Sequence, residues 1–410
     1  MLQAGDRIEV LPFTRQEEGG EVVIGRPELG TFLALPREAV EILDGLAAGK
    51  TLGEVEDDYA RLYGIRPDLA DLLTALGKKG LVRRQRADSE TSRVASAVPQ
   101  PQPVKRFHFA NIPQDVARIF FGGPALLIYG VLIGCALIAL VRDPSLIPHR
   151  RDLFFDRHKT AKVLVLVLAS YTSLFIHEFC HLLAARAVGV KSRIGLSNRL
   201  WVLVAETDLT GLWAVPKRHR YLPMVAGPIS DCVTASLLIF TLAARKAGVL
   251  AMSPNLYDLA RAMILIFSFR LLWQCFFFVR TDFYYVISTF CGCKSLMRDT
   301  QIFVRNFFAR LFRPAAIRSQ DHIPIRERRV ILAYSFLWFL GRVFALASLF
   351  LVTLPLYGRY LTSAWTTVRA GFQAGPYPFL DSILVNVLGL APLTLGFTLW
   401  IRSMIRRKTA

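Results

Sequence analysis

Two histidines and a glutamate lie inside one long apolar stretch, with the types and spacing of a zinc-dependent hydrolase. The stretch runs from Val163 to Val188 and contains His177, Glu178 and His181 in the pattern H-E-x-x-H. On a helix the two histidines are one turn apart, so both imidazoles project from one face and can bind one zinc ion. The carboxylate of Glu178 is then placed to take a proton from a water molecule on the metal.

The apolar setting of this motif weighs against a chance match, which is the alternative interpretation. About 20 helical residues cross the hydrocarbon of a bilayer, and the stretch is long enough to do so. Histidine and glutamate side chains that face lipid or lack a partner there are costly, so they indicate a functional site. We therefore expect His177 and His181 to be zinc ligands and Glu178 to be catalytic.

Composition places the chain among membrane proteins. Of its 410 residues 53% are hydrophobic, with several long apolar runs and a polar N-terminal region. The net charge of +19 would suit a nucleic-acid partner, but the basic residues cluster at the ends of apolar segments. Membrane proteins mark their cytoplasmic side in this way, so we expect contact with the lipid bilayer and no nucleic-acid binding.

Residues 1–85 have the pattern of a small α+β domain of the winged-helix type. Three short stretches with partial alternation predict strands, three amphipathic segments predict helices, and a last stretch predicts a wing strand. The strands are Arg7–Phe13, Glu21–Gly25 and Thr31–Leu35, the helices are Pro36–Leu46, a segment carrying Leu52 and Leu62, and Pro67–Lys79, and the wing strand is Leu81–Arg84.

Residues 86–118 are predicted to be a flexible linker, because Ser, Ala, Pro and Gln dominate at 86–106 without an apolar period. Residues 119–410 contain six apolar segments, which predict a mainly α, polytopic six-helix transmembrane bundle. Basic residues crowd the segments after spans two, four and six, so we expect a multi-pass protein of the cell membrane with both termini cytosolic. The six spans are about Phe120–Val141, Val163–Val188, Tyr221–Ala244, Leu259–Ile287, Val330–Leu356 and Phe379–Ile401.

Zinc held by two histidines needs a third protein ligand, and Asp282 in QCFFFVRTDFYYVIS is the candidate. It lies near the cytoplasmic end of span four, which runs in the same direction as span two, so a shared metal is feasible. The alternative is an ordinary charged residue at the membrane boundary, paired with Arg280. Two further charges within the spans, Asp231 and Arg270, are predicted to pair as a structural tie.

Three motifs in this order resemble the site-2 protease family of intramembrane zinc metalloproteases. They are HEFCH at 177–181, AGPIS at 226–230 and RTDFYYV at 280–286, within a catalytic core of about 163–288. The resemblance implies that His177, His181 and Asp282 bind zinc and that Glu178 is the general base.

The chain departs from the family pattern at two points. Phe283 follows Asp282 where the family usually has glycine, and Phe276-Phe277 stands in place of an Asn-Pro pair. The nearest amide is Gln274, which we consider as a substrate-binding residue. Residues 199–216 resemble the family's segment that dips back into the membrane, whose strand edge would pair with an unwound substrate. A simple amphipathic loop is the alternative for this segment.

The N-terminal pattern resembles the PqqD-like domain, a winged-helix module that binds the leader peptide of ribosomally made, modified precursor peptides. The resemblance implies that a leader adds as an extra strand beside the sheet. A generic winged-helix regulatory or packing domain is the alternative.

These resemblances predict a zinc metalloendopeptidase that cuts a peptide bond in or near the membrane. Its expected substrate is a precursor peptide that loses its leader during maturation, with daptides as one such class. One alternative is site-2-type regulated proteolysis of a membrane-anchored regulator. Another is a non-proteolytic immunity or export protein that binds a peptide, although the intact Glu178 argues against it. The sequence indicates no oligomeric state.

Overall fold

A computed structural model describes the chain at residues 3–84, 107–153, 159–293, 295–312, 317–320, 323–372 and 375–409. The described part is mainly helical, with a small sheet region near the N-terminus. Most of the predicted linker, residues 86–106, lies outside the described residues. The prediction of a flexible linker to residue 118 is wrong at its end, because residues 114–118 belong to the helix Gln114–Phe121. The chain divides into two compact units, one comprising Met1–Ala117, Ala185–Arg193 and Asp208–Leu222, the other comprising Arg118–Ala184, Ile194–Thr207 and Pro223–Ala410.

The N-terminal part of the first unit contains the predicted strands and helices in the predicted order, with one additional strand. They are β1 (Ile8–Val10), β2 (Thr14–Glu18), β3 (Glu21–Arg26), β4 (Thr31–Pro36), α1 (Arg37–Ala47), α2 (Leu52–Tyr63), α3 (Leu69–Lys78) and β5 (Val82–Arg84). β2, β3 and β4 form one antiparallel sheet in that order, while β1 pairs antiparallel with β5. The three predicted helices and the predicted last strand, β5, are confirmed as elements.

One strand of this region, β2, is missing from the sequence-based prediction. Its sequence TRQEE is polar throughout, so it offers no alternation of apolar and polar residues. It forms as the hairpin partner of β3 across Gly19 and Gly20, whose φ angles are 62° and 89°. Glycine adopts this left-handed conformation without a steric penalty, which allows the tight turn.

Local signals explain where the helices begin and how they pack. α2 starts at a capping box. The Glu54 carboxylate accepts a hydrogen bond from the backbone N–H of Thr51, and the Thr51 hydroxyl accepts one from the backbone N–H of Glu54. The hydroxyl of Tyr63 donates to the Glu41 carboxylate at 2.7 Å and joins α2 to α1. This hydrogen bond raises the pKa of Tyr63 to about 12, because ionisation would break it.

The core of this domain lies between the sheet and the helices. Ile24, Leu43, Leu76 and Leu81 come from β3, α1, α3 and the residue before β5, and all are 0% exposed. They belong to one cluster of buried apolar side chains. Burial of a leucine contributes about 1.5–3 kcal/mol, so this cluster stabilises the domain substantially.

The β2–β3 hairpin also contacts the segment Asp208–Leu222 within the same unit. Arg220 is 1% exposed, and its NH1 is 2.7 Å from Oε2 of Glu18. Its guanidinium carbon lies 4.8 Å from the centre of the Trp213 ring, and its Nε donates to the carbonyl of Val215 at 2.9 Å. A buried arginine needs such partners, so this ion pair fixes the hairpin to the segment.

The remaining described residues form long helices and one further hairpin. The helices are α4 (Gln114–Phe121), α5 (Gly123–Arg142), α6 (Lys159–Ala187), α7 (Lys217–Lys246), α8 (Pro254–Gln274), α9 (Asp282–Cys291), α10 (Leu296–Phe312), α11 (Ile325–Ser348), α12 (Leu354–Ala370) and α13 (Pro376–Thr409), and the hairpin strands are β6 (Ile194–Arg199) and β7 (Val202–Thr207).

Five helical stretches in the described part are long and apolar enough to cross a membrane. In the first of them, α5 is apolar on all sides, and many of its side chains are exposed, as at Leu127 (70%) and Val141 (81%). A helix of this kind matches a lipid environment. The five stretches are Gln114–Arg142, Ala161–Ala187, Lys217–Lys246, Ile325–Ala370 and Asn386–Ile405, and they overlap five of the six predicted spans.

The predicted fourth span, Leu259–Ile287, is wrong as a single helix. α8 ends at Gln274, and α9 begins only at Asp282. Between them Arg280 has a φ of 58°, a left-handed conformation that a continuous α-helix does not allow. α8 also carries three charged residues, so it is not among the five apolar stretches.

The predicted strand segment at 199–216 is partly correct. β6 begins earlier, at Ile194, and β7 ends at Thr207, so the rest of the segment is not strand. Arg199 pairs with Val202 across a two-residue turn in which Leu200 has a φ of 57°.

Replacing Leu76 by alanine should loosen the N-terminal domain, because it leaves a cavity in a fully buried cluster. Such a change costs about 2–5 kcal/mol. Hydrogen exchange of the full-length protein should then be faster in β3 and α1, and unchanged in α8 and α11. The matched control is Leu62→Ala on α2, where the side chain is 71% exposed. Equal protection in both variants would contradict this description of the core.

Candidate metal centre

One face of α6 carries the two histidines that the sequence predicts as ligands. His177, Glu178 and His181 are 3%, 6% and 2% exposed. The Nε2 atoms of the two imidazoles are 3.2 Å apart, and each is 3.3 Å from Oδ2 of Asp282. The structure therefore brings the three predicted ligands together, two from the middle of α6 and one from the start of α9.

The outer nitrogens of the two rings have hydrogen-bond acceptors as partners. Nδ1 of His177 is 2.8 Å from Oδ2 of Asp231, and Nδ1 of His181 is 2.7 Å from the carbonyl oxygen of Pro223. Because a carboxylate and a carbonyl accept hydrogen bonds, each Nδ1 carries a proton. In the neutral ring the lone pair is then on Nε2, the nitrogen that faces the other ligands.

Two imidazole lone pairs and a carboxylate oxygen thus face one another at short range. These groups repel unless a positive charge lies between them. Zinc bonds of about 2.0–2.1 Å in tetrahedral geometry place ligand atoms roughly 3.3–3.4 Å apart. The spacings of 3.2 and 3.3 Å at His177, His181 and Asp282 match that value. The donor set and its spacing therefore fit a zinc ion, which would keep a further position for water or substrate.

α7 approaches these histidines through Gly227. A Cβ atom at this position would lie 2.4 Å from Nε2 of both His177 and His181, so only the hydrogen of glycine fits. Pro223 and Asp231, the outer partners of the two rings, each lie one turn from Gly227 on the same helix. α7 therefore orients both imidazoles while its backbone passes beside their Nε2 atoms.

Asp282 is fixed by the turn between α8 and α9. Its backbone N–H donates to Oε1 of Gln274 at 3.0 Å, and the hydroxyl of Thr281 donates to the Gln274 carbonyl at 2.7 Å. The hydroxyl of Tyr334 on α11 donates to the carbonyl of Phe277 at 2.8 Å. These bonds satisfy backbone groups that the interrupted helix leaves without helical partners.

The residues that differ from the site-2 protease pattern have definite places here. Phe283 lies in the first turn of α9, and the positive φ of this region is at Arg280 instead, so the helix needs no glycine after Asp282. Gln274, considered from the sequence as a substrate-binding residue, is 5% exposed and holds the backbone of Asp282.

Glu178 contacts the β6–β7 hairpin at its end. The hydroxyl oxygen of Thr207 lies 2.8 Å from Oε2 of Glu178 and 2.8 Å from its backbone carbonyl. The carboxylate also lies within electrostatic reach of His177, His181 and Asp282. The last residue of β7 therefore orients the acid that neighbours the three ligands.

Sequence reasoning missed two contributions to this site. Asp231 and Arg270 pair as predicted, at 2.9 Å, but the contact of Asp231 with His177 was not foreseen. The signal was available, because Asp231 lies one turn after Gly227 in the AGPIS motif. For Thr207 the sequence holds no comparable signal, since its role depends on how the hairpin folds back onto α6.

Comparison of the chain with family models, with curated proteins and with solved structures found no match.

Proposed function

We propose that the chain is an intramembrane zinc metalloendopeptidase of the site-2 protease type, with a PqqD-like N-terminal domain that recruits its substrate. One observation carries the proposal. Two imidazole Nε2 atoms and a carboxylate oxygen converge within 3.3 Å beside Glu178, on a helix apolar enough to span a membrane. A buried cluster of this kind in an apolar helix is costly without a function.

His177, His181 and Asp282 would hold the zinc ion, which supplies a polarised water molecule and a Lewis acid for the peptide carbonyl. Glu178 accepts a proton from water and returns it to the nitrogen of the leaving amine. Thr207 keeps that carboxylate in place through its hydroxyl. Burial of Glu178, at 6% exposure, limits competition from bulk water for the proton.

The β6–β7 hairpin is the proposed binding element for the scissile segment. A transmembrane helix satisfies its peptide groups internally, so it must become extended before it is cut. Each hairpin strand has one edge that faces away from its partner, and an extended peptide can pair with such an edge. Because β7 ends at Thr207, a peptide on this hairpin lies near Glu178.

The N-terminal domain is the proposed site for a leader peptide. The sheet β2–β3–β4 has two outer strands, either of which can accept an added strand. The chain before α4 connects this domain to the proposed protease domain, which raises the local concentration of a bound precursor. We therefore favour removal of a leader during maturation of a ribosomally made, modified peptide.

α8 is the proposed sixth span of a multi-pass protein with both termini in the cytosol. Its 21 residues correspond to roughly 30 Å of helix. Its charges are paired, which lowers the cost of placing them in a bilayer. The pairs are Asp258 with Lys162 at 2.6 Å, Arg261 with Asp152 at 3.0 Å and Arg270 with Asp231 at 2.9 Å.

Purified wild-type protein in lipid should cut a precursor or membrane peptide encoded near its gene at one defined bond. Glu178→Gln should lower the rate by about 10²–10⁴-fold while retaining zinc, because only the proton acceptor is lost. Mass spectrometry of the peptide and metal analysis of the protein measure the two quantities. Glu327→Gln, in the first turn of α11, is the matched control and should cut normally.

The result also separates the alternatives. Cleavage that needs no leader would favour a membrane-anchored regulator as substrate. If wild-type protein binds zinc and peptide yet cuts nothing, the function is that of a peptide-binding immunity or export protein and not of a protease.

Replacing Gly227 by alanine should prevent zinc binding, because the new Cβ would overlap both Nε2 atoms. The expected zinc content falls from about one ion per chain to nearly none. The control is Gly134→Ala on α5, where a Cβ meets no atom within 4 Å. Zinc content is measured by elemental mass spectrometry after passage over a weak chelator. Normal zinc in Gly227→Ala would place the metal elsewhere.

A further inference from the structure

Asp231 contacts a proposed metal ligand without being one of the ligands. Its side chain is 2% exposed, and its two oxygens have different partners. Oδ2 is 2.8 Å from Nδ1 of His177, and Oδ1 accepts a hydrogen bond from Arg270 at 2.9 Å. The other terminal nitrogen of Arg270 donates to the Ser173 hydroxyl at 2.7 Å. This chain of contacts joins α6, α7 and α8.

The spacing along each helix aligns this network with the metal centre. Ser173 lies one turn before His177 on α6, and Asp231 lies one turn after Gly227 on α7. Residues four apart on a helix share a face. The Asp231–Arg270 pair therefore lies directly behind the imidazole of His177, on the side opposite to its Nε2 atom.

Stability alone is a weak explanation for this pair. Removing two charges from water costs several kcal/mol each, and apolar replacements of buried ion pairs are often neutral or stabilising. The cost is greater for groups in a membrane-spanning helix. The Asp231–Arg270 pair is buried at this cost while one oxygen of Asp231 contacts His177, which points to a role in orienting that proposed ligand.

We propose that Asp231 is a positioning residue that holds His177 with Nδ1 protonated and Nε2 directed at the metal. Its negative charge also makes the imidazole a stronger ligand. Arg270 holds the carboxylate in place from the other side. His181 has only the neutral carbonyl of Pro223 behind it, so the two histidines differ in ligand strength. This inference rests on the proposed zinc site.

The test replaces the ion pair in two ways that avoid a lone buried charge. Asp231→Ala with Arg270→Met makes the pair apolar and removes the partner of His177. Asp231→Asn with Arg270→Gln removes both charges but keeps hydrogen-bonding groups. The matched control is Asp258→Leu with Lys162→Met, which removes another ion pair of α8, 2.6 Å long, formed with α6.

Zinc affinity is measured by competition with a chromophoric chelator, and the spectrum of the cobalt-substituted protein reports ligand geometry. We expect about 10–100-fold weaker zinc binding in the apolar double variant, a smaller loss in the amide variant, and no change in the control. The cobalt spectrum should change in the same order. Thermal stability of the metal-free protein should not fall in parallel.

Zinc affinity equal to wild type in both double variants, with lower thermal stability, would overturn the inference and return the pair to a structural role. Peptide cleavage is assayed separately. Suppose that wild type binds zinc and the zinc affinities of the variants fall in the expected order, but no peptide is cut. The positioning role of Asp231 is then supported, and the proposed protease activity is wrong. If the variants bind zinc as tightly as wild type and wild type cuts peptide, the protease activity is supported and the positioning role of Asp231 is wrong.

Discussion

Repulsion among three electron-rich atoms is the constraint on which the buried centre depends. The Nε2 atoms of His177 and His181 and the carboxylate of Asp282 lie within 3.3 Å of one another, with both histidines buried and Asp282 partly exposed. Chance packing does not explain such a cluster, because rotation of one side chain would relieve the repulsion. The outer ring nitrogens donate hydrogen bonds to the Asp231 carboxylate and the Pro223 carbonyl, and these bonds prevent that rotation. Both acceptors come from α7, so the orientation of the rings depends on how α7 lies against α6.

The break between α8 and α9 is the second feature of the centre, because Asp282 is the first residue of α9 and lies beside the two histidines. Ending α8 at Gln274 exposes backbone groups, which inside a membrane protein must find partners. Gln274, Thr281 and Tyr334 supply them. Gly341 on α11 lets Phe278 of the same turn pack closely, since a Cβ there would lie 2.2 Å from the Phe278 ring.

The parts of this arrangement that sequence could predict are those encoded locally. The pattern H-E-x-x-H fixes the relation of His177 to His181 because both lie on one helix. The N-terminal helices are predictable for the same reason, since caps and apolar periods are local signals. The hairpin strand β2 is not, because its polar sequence becomes a strand only through pairing with β3.

The interrupted fourth span shows where local reasoning stops. The stretch Leu259–Ile287 is apolar enough to predict one helix, and no proline or glycine marks its break. The break depends on side chains from α8 and α11 that bond the freed backbone. Contacts between distant segments decide such positions, as they also decide the contact of Thr207 with Glu178.

Charge explains why a divalent ion would suit this centre. With the carboxylates of Glu178, Asp231 and Asp282 ionised, Arg270 positively charged and both imidazoles neutral, the groups sum to −2. A single divalent cation would balance that charge. An unbalanced charge of this size in a medium of low dielectric constant is strongly unfavourable. Binding of the proposed metal would therefore stabilise the packing of α6, α7 and α9, because the ion would cancel the charge that the folded ligands bring together.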